Sequence, residues 1–108
     1  MTLRAGMYSI FLTDWFKIYP RSQFHIIKSE DYYDDMTHTL KEMFSFLDVQ
    51  ALNEEDLKVL RAERRRKVNR SNCSDSMFPK TRRLLNHLYT PFNQQLAKLL
   101  RNNDFLWE

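Results

Sequence analysis

Apolar residues recur with helical spacing near the start of the chain. One apolar series stops at Pro20 and predicts a helix over about residues 6–18. The members of this series are Tyr8, Phe11, Leu12, Trp15, Phe16 and Tyr19. The next apolar run, "FHIIKS" at 24–29, is short and contains two adjacent β-branched residues, which is typical of a buried strand. The first third of the chain is therefore predicted as helix, turn and strand.

Capping residues predict two helices in the middle of the chain. Asp34 or Asp35 can cap a helix whose apolar face comprises Leu40, Met43, Phe44 and Leu47. Asn53, followed by Asp56 three residues later, resembles a capping box. It opens a helix in which acidic residues come first and basic residues last, the order that the helix dipole favours. This helix is predicted to end near Lys67.

Two prolines predict two helices in the C-terminal third. Pro79 begins the first, and Thr90 can cap the second with Pro91 in the first helical position. The chain is thus predicted to be mostly α with one short β-strand. A strand needs a partner for its backbone hydrogen bonds, and this sequence offers none. Either the rest of the sheet belongs to a missing part of the protein, or the strand prediction is wrong.

Composition narrows the classes of protein and of site. A chain of 108 residues with 43% hydrophobic residues can bury one core, so a single domain is expected. The net charge of +3 is weak for a protein dedicated to nucleic acid. Cys73 is the sole cysteine and Gly6 the sole glycine, which excludes an internal disulfide, a zinc site with several thiolates and a Gly-rich phosphate loop. The histidines are not spaced as metal ligands, and no metal site is predicted.

Charge is concentrated in two segments. Six of the ten residues 61–70 are Lys or Arg, whereas "EDYYDD" at 30–35 holds four acids. No apolar run approaches the roughly 20 residues that cross a bilayer, and no targeting signal is found in this chain. The cations could bind nucleic acid, a phosphate-bearing small molecule, or only water.

The order of several short motifs resembles the C-terminal part of the carbohydrate sulfotransferases. The matching pieces are, in order, Gly6 and Tyr8, Leu12 and Trp15, Tyr19-Pro20, Gln23, "FHIIKSED", "FSFLDV", "MFPKT", "LYTPFNQQLAKLL" and "FLW". No piece is specific alone, but the shared order covers nearly all of the chain. The resemblance is greatest to the N-acetylgalactosamine 4-sulfate 6-O-sulfotransferase type, with heparan sulfate 3-O-sulfotransferases more distant.

The resemblance implies a fold, a reaction and a cellular location. The chain would be the C-terminal fragment of an α/β, P-loop-like sulfotransferase fold, with residues 1–108 forming part of a single domain. The donor would be 3′-phosphoadenosine 5′-phosphosulfate (PAPS), the acceptor a sugar hydroxyl of a glycosaminoglycan-type glycan, and the location the Golgi lumen. In such enzymes the catalytic base and the loop that holds the 5′-phosphosulfate lie nearer the N-terminus. No catalytic residue is therefore assigned in this chain, and the chain alone is expected to be inactive.

The basic segment is where the resemblance implies donor binding. In the family, the chain between the "FL" helix and the "P-x-T" helix folds over the nucleotide, which assigns Lys67, Asn69, Arg70 and Ser71 to the PAPS site. Lys and Arg give charge-assisted hydrogen bonds, and a turn of Asn and Ser can add backbone N–H groups. Heparan-type enzymes carry a Lys-Gly-Arg loop here, and this chain lacks that glycine. The plainer alternative is a solvated helix end.

Several alternatives remain open at this point. The chain could be a small basic helical module that binds nucleic acid through residues 64–67, or an inactive truncated product. For Glu30 and Asp31 we expect a structural role rather than acid–base chemistry. The aromatic residues of the helices are expected to form the core rather than a platform for sugars. Arg82 and Arg83 could meet an anionic glycan, although two exposed arginines on one helix are common.

Overall fold

The computed structural model describes residues 3–64 and 76–107, and within these residues the protein is helical and contains no strand. The helices are α1 Tyr8–Ile18, α2 Ser29–Asp34, α3 Met36–Phe46, α4 Glu54–Arg64 and α5 Pro79–Leu100. Short 3-10 turns occupy Leu3–Gly6, Arg21–Gln23 and Asn103–Leu106. The chain divides into two compact units, Ser22–Asn72, called here the inserted unit, and Met1–Arg21 with Cys73–Glu108, called the terminal unit.

Two predicted caps begin helices of the inserted unit. An Asp35 carboxylate oxygen accepts a hydrogen bond from the His38 backbone N–H at 3.1 Å, at the start of α3. The Asn53 side-chain oxygen accepts one from the Asp56 N–H at 2.8 Å, at the start of α4. Both caps are confirmed. Each satisfies a backbone donor that the first turn of a helix leaves without a partner.

The apolar core of the inserted unit lies between α3 and α4. Met36 and Leu40 of α3 are buried with Leu57 of α4, whose exposed fraction is 1%. Partly buried side chains surround this cluster, namely Tyr32, Met43, Phe44 and Leu52. The Arg61 guanidinium also donates to the Thr37 hydroxyl, which adds a polar link between α3 and α4.

The strand predicted at 24–29 is wrong. Residues 24–28 have no regular secondary structure, and Ser29 already begins α2. Burial does alternate along the segment, because residues 24, 26 and 28 are half-buried while His25 and Ile27 are exposed. The apolar run predicted a buried strand, but a strand also needs a neighbouring strand for its backbone hydrogen bonds. The described part of the chain contains none.

The terminal unit is formed by α1, α5 and the two short turns at its ends. Ser9 of α1 is 2% exposed, and its hydroxyl donates to the Gln95 side-chain oxygen at 3.3 Å. The Tyr89 hydroxyl donates to the Leu3 carbonyl at 2.8 Å. Gly6 lies directly against the Tyr89 ring, where an added Cβ would be 2.9 Å from Cε1. An added Cβ at this position would therefore require the Tyr89 ring to shift.

The helix break predicted at Thr90 is also wrong. The helix α5 runs without interruption through Pro91, which lies in its interior. The Thr90 hydroxyl does not cap a new helix, because it donates back to the Asn86 carbonyl at 2.6 Å. Proline removes one backbone hydrogen bond and disfavours the helix locally. Contacts of α5 with α1 and with the C-terminal turn offset that local cost.

The aromatic face of α1 departs from the prediction that it forms core. Tyr8 and Trp15 are each 51% exposed, and Phe11 is also exposed. The helix turns its Ser9 side toward α5, so the large aromatic side chains lie on another side. Helical spacing thus identified an apolar face correctly. It could not establish that the face is covered.

Candidate functional site

The four residues predicted to bind the donor lie outside the described residues. Lys67, Asn69, Arg70 and Ser71 fall between the end of α4 and residue 76. Their role in nucleotide binding therefore stays a prediction. The described chain resumes before Pro79, which begins α5 as predicted.

The acidic segment is helical rather than the end of a strand. Glu30 and Asp31 lie in the first turn of α2, where the helix dipole favours negative charge. The Ser29 hydroxyl donates to a Glu30 carboxylate oxygen at 3.3 Å. Position and contact both suit the structural role that the sequence favoured for these acids.

The three histidines lie in separate surroundings. The His25 ring stacks on Phe46 with centroids 5.0 Å apart, and His38 lies 3.3 Å from the Glu42 carboxylate. His87 is exposed on α5. Among residues 3–64 and 76–107 no group of three or more His, Cys, Asp or Glu side chains could hold a metal ion. The helices in these same ranges include none that is long and apolar enough to span a bilayer.

A polar pocket in the terminal unit was not predicted from the sequence. It has a volume of about 320 Å³. One side is a face of α5, and the other is the C-terminal turn. Its lining residues are Asn86, Tyr89, Thr90, Asn93, Gln94, Leu106 and Trp107. Polar residues at 86, 90 and 93 share one face of a helix, and that spacing is the signal that could have indicated the pocket.

A hydrogen bond holds the two sides of this pocket together, and two other side chains of the lining make no hydrogen bond within the described chain. The Asn93 amide donates to the Leu106 carbonyl at 3.4 Å and so holds the C-terminal turn against α5. The side-chain amides of Asn86 and Gln94 have no partner within the described chain. An amide offers both donors and an acceptor, so these two groups are available to a polar ligand.

The indole of Trp107 and the ring of Tyr89 are the aromatic parts of the pocket. Trp107 has a left-handed backbone, with φ of 48°, which is unusual for a bulky residue. Its ring centroid lies 6.2 Å from that of Tyr8 and 5.6 Å from that of Phe105. These neighbours fix the indole while 40% of the residue stays exposed. Among residues 3–64 and 76–107, those that line the pocket include no Asp, Glu, Lys, Arg or His.

Two cations occupy α5 just before the pocket. Arg82 and Arg83 are exposed, and neither has an ion pair within the described residues. Arg82 precedes Asn86 by four residues, so both belong to one side of the helix. An anionic substituent on a ligand in the pocket would therefore find Arg82 one helical turn away.

Sequence comparison relates the chain to carbohydrate sulfotransferases. The chain is 30% identical over 109 residues to the protein named carbohydrate sulfotransferase 15 in Homo sapiens, a match that covers 98% of this chain and 19% of that protein. The protein of the same name in Mus musculus is 31% identical over 110 residues. A third, in Nototodarus sloanii, is 36% identical over 100 residues, which covers 89% of this chain and 62% of that protein.

These matches fall on the C-terminal part of the relatives and confirm the resemblance indicated by the motif order. The chain spans about a fifth of the length of the mammalian relatives. No protein-family profile matches the chain. No solved structure matches it either.

Proposed function

We propose that this chain, which is related by sequence to the C-terminal part of the carbohydrate sulfotransferases, contributes to the transfer of a sulfuryl group from PAPS to a sugar hydroxyl. The observation that carries the proposal is the match of 30–36% identity, which extends over nearly the whole chain. A glycosaminoglycan-type acceptor and residence in the Golgi lumen belong to the same proposal. The domain would be α/β, with its sheet formed by the residues that precede the matched region in the relatives.

In this proposal the basic segment binds the donor nucleotide. Lys67 and Arg70 would bind the phosphates of PAPS through charge-assisted hydrogen bonds, and Asn69 and Ser71 would add polar contacts. The support is the concentration of positive charge, since six of the ten residues 61–70 are Lys or Arg. The position of this segment in the order of the family motifs supports the same assignment.

The reaction is an in-line displacement at sulfur. The acceptor hydroxyl oxygen forms a bond to sulfur as the bond from sulfur to the donor phosphate oxygen breaks, and the hydroxyl proton passes to a base. That base and the 5′-phosphosulfate loop belong to the part of the domain before the matched region. As in phosphoryl transfer, positioning and neutralisation of charge supply most of the rate enhancement. Lys67 and Arg70 would supply positive charge that neutralises the phosphates of the donor.

Nucleotide binding tests the donor assignment directly. We expect adenosine 3′,5′-bisphosphate to bind the folded chain in a calorimetric titration, and Lys67→Ala or Arg70→Ala to weaken the affinity about 10-fold or more, because each removes a charge-assisted hydrogen bond. Lys41→Ala, an exposed change on α3, serves as the control and should alter the affinity by less than about two-fold. Circular dichroism establishes that each variant is folded. Salt-dependent binding to DNA without binding to the nucleotide would favour the nucleic-acid alternative instead.

Catalysis is tested in a protein that contains the rest of the domain. The chain would replace the matched C-terminal part of the Homo sapiens relative, and transfer of labelled sulfate from PAPS to a glycan would be measured. We expect activity in the hybrid and a loss of at least about 10-fold on Arg70→Ala. A folded hybrid that binds the nucleotide but transfers no sulfate would contradict the proposed function.

A further inference from the structure

The pocket between α5 and the C-terminal turn has the chemistry of a sugar-binding site. We propose that it is a subsite for one uncharged sugar ring of the acceptor glycan, in which the ring lies on Trp107 and its hydroxyls bond to Asn86 and Gln94. This inference rests on the proposed sulfotransferase function. It adds a location and a ligand class that the sequence did not indicate.

The size of the pocket fits a single ring. Its volume of about 320 Å³ lies at the lower end of the range of about 300–1,000 Å³ found for small-molecule sites. A glycan chain would extend beyond it. The pocket therefore suits one residue of the glycan, with the neighbouring residues outside.

The polar groups of the pocket match sugar hydroxyls. A hydroxyl both donates and accepts hydrogen bonds, and so does a side-chain amide. The amides of Asn86 and Gln94 lie about two turns apart on one side of α5, at either end of the pocket, and have no partners in the described chain. Because the described residues of the lining include no charged side chain, they offer no compensation for a buried carboxylate or sulfate. An uncharged ring is the ligand that these groups favour.

Trp107 supplies the apolar surface that a sugar ring needs. The C–H groups on one face of a pyranose pack well against an indole, while the hydroxyls project toward polar neighbours. Trp107 is held between Tyr8 and Phe105 in a left-handed backbone conformation that L-residues rarely adopt. Backbone strain of this kind concentrates at ligand-binding sites, where the surrounding contacts maintain it.

Nuclear magnetic resonance titration of the whole chain with N-acetylgalactosamine tests the subsite. The chain has two tryptophans, so the indole signal of Trp107 is identified with a Trp15→Phe variant. We expect the sugar to shift the Trp107 signal in the wild type, with millimolar affinity. Asn86→Ala and Gln94→Ala should each weaken binding about three-fold or more, because each removes a hydrogen bond to the ligand. Sorbitol, a polyol without a ring, should produce no comparable shift.

The control variant is His87→Ala, which changes an exposed residue of the same helix that does not line the pocket. It should leave the affinity for the sugar unchanged. If the folded chain shows no shift of Trp107, or if the two amide variants behave like His87→Ala, the subsite is wrong. The experiment replaces the two amides and leaves Trp107 in place, so a folding defect at Trp107 does not affect this conclusion.

The sugar titration contains no nucleotide, so the subsite and the proposed function can fail separately. Binding of adenosine 3′,5′-bisphosphate that depends on Lys67 and Arg70, together with no sugar response, overturns the subsite alone. A sugar response that depends on Asn86 and Gln94, without nucleotide binding, supports the subsite and counts against the donor assignment.

Discussion

The apolar faces of α3 in the inserted unit and of α1 in the terminal unit differ in how far they are buried. The inserted unit has an apolar centre, with Leu57 only 1% exposed beside Met36. In the terminal unit, the first helix buries Ser9 and leaves Tyr8 and Trp15 each 51% exposed. Both units are built from helices whose apolar residues have clear helical spacing. The difference shows that spacing defines an apolar face, whereas burial depends on a partner for that face.

Apolar burial and hydrogen bonds both contribute to these units. Burial of a large apolar side chain contributes about 1.5–3 kcal/mol, and a hydrogen bond about 0.5–1.5 kcal/mol net. The inserted unit has its apolar cluster around Leu57. The terminal unit buries Leu96, Ala97 and Phe105 as well, and it joins its distant ends through hydrogen bonds from Ser9 to Gln95 and from Tyr89 to Leu3. We therefore expect truncation of the buried Leu57 to have a larger effect than changes at the close contacts of the terminal unit.

The largest effect is expected for Leu57→Ala. Removing this side chain leaves a cavity between α3 and α4 and should reduce the free energy of unfolding by about 2–5 kcal/mol. Urea unfolding followed by circular dichroism measures the change. Val59→Ala, on the same helix but 61% exposed, is the control and should change stability by less than about 0.5 kcal/mol. Equal effects of the two substitutions would refute the apolar centre of the inserted unit.

Gly6→Ala should have the next largest effect and acts on the terminal unit. The added methyl group would lie 2.9 Å from the Tyr89 ring, so the ring must shift and its hydrogen bond to Leu3 is disturbed. We expect a loss of about 1–3 kcal/mol in the free energy of unfolding. Ala5→Ser, an exposed change in the same turn, should be nearly neutral.

A second substitution shows whether Tyr89 causes the effect of Gly6→Ala. In a Tyr89→Leu background the ring is absent, and the same methyl group should be tolerated at a smaller cost. The interaction free energy from this double-mutant cycle is the quantity to measure. Additive effects would mean that Gly6 is needed for a reason other than its contact with Tyr89.

Features set by a few neighbouring residues were predictable from the sequence. The Asp35 and Asn53 caps and the start of α5 at Pro79 depend on short-range geometry, and all three are found. The strand at 24–29 depends on a distant partner, and its prediction failed. The break at Pro91 failed because a proline lowers local preference only, whereas contacts elsewhere along α5 keep the helix continuous.

Of the two candidate sites, one was predictable from the sequence and the other was not. The cluster of cations around Lys67 and Arg70 is visible in the sequence, because charge is a property of composition. The pocket was missed because Asn86 and Trp107 are far apart in the sequence and meet only after the C-terminal turn folds back on α5. The polar spacing along α5 shows one side of such a pocket. It does not show what faces that side.

Asn53→Ala should have a moderate effect that is confined to the start of α4. The substitution removes the side-chain acceptor of the Asp56 N–H and should cost about 1 kcal/mol in the free energy of unfolding. Asn53→Asp retains an acceptor and should restore most of the stability. Chemical unfolding of both variants provides the comparison, and Asn53→Asp as unstable as Asn53→Ala would rule out capping as the cause.

The smallest effect is expected for Ile18→Ala, near the exposed aromatic face of α1. Ile18 is 70% exposed, so its truncation should change the free energy of unfolding by less than about 0.5 kcal/mol. The apolar surface of the chain should decrease, and binding of a fluorescent hydrophobic dye should decrease with it. A loss of more than about 1 kcal/mol would mean that this side chain is covered in solution, since truncation is costly only where the side chain is buried. Sedimentation at several protein concentrations would then show whether a second copy of the chain covers it. In that case the apolar face of α1 would be buried after all, by a partner from outside the chain.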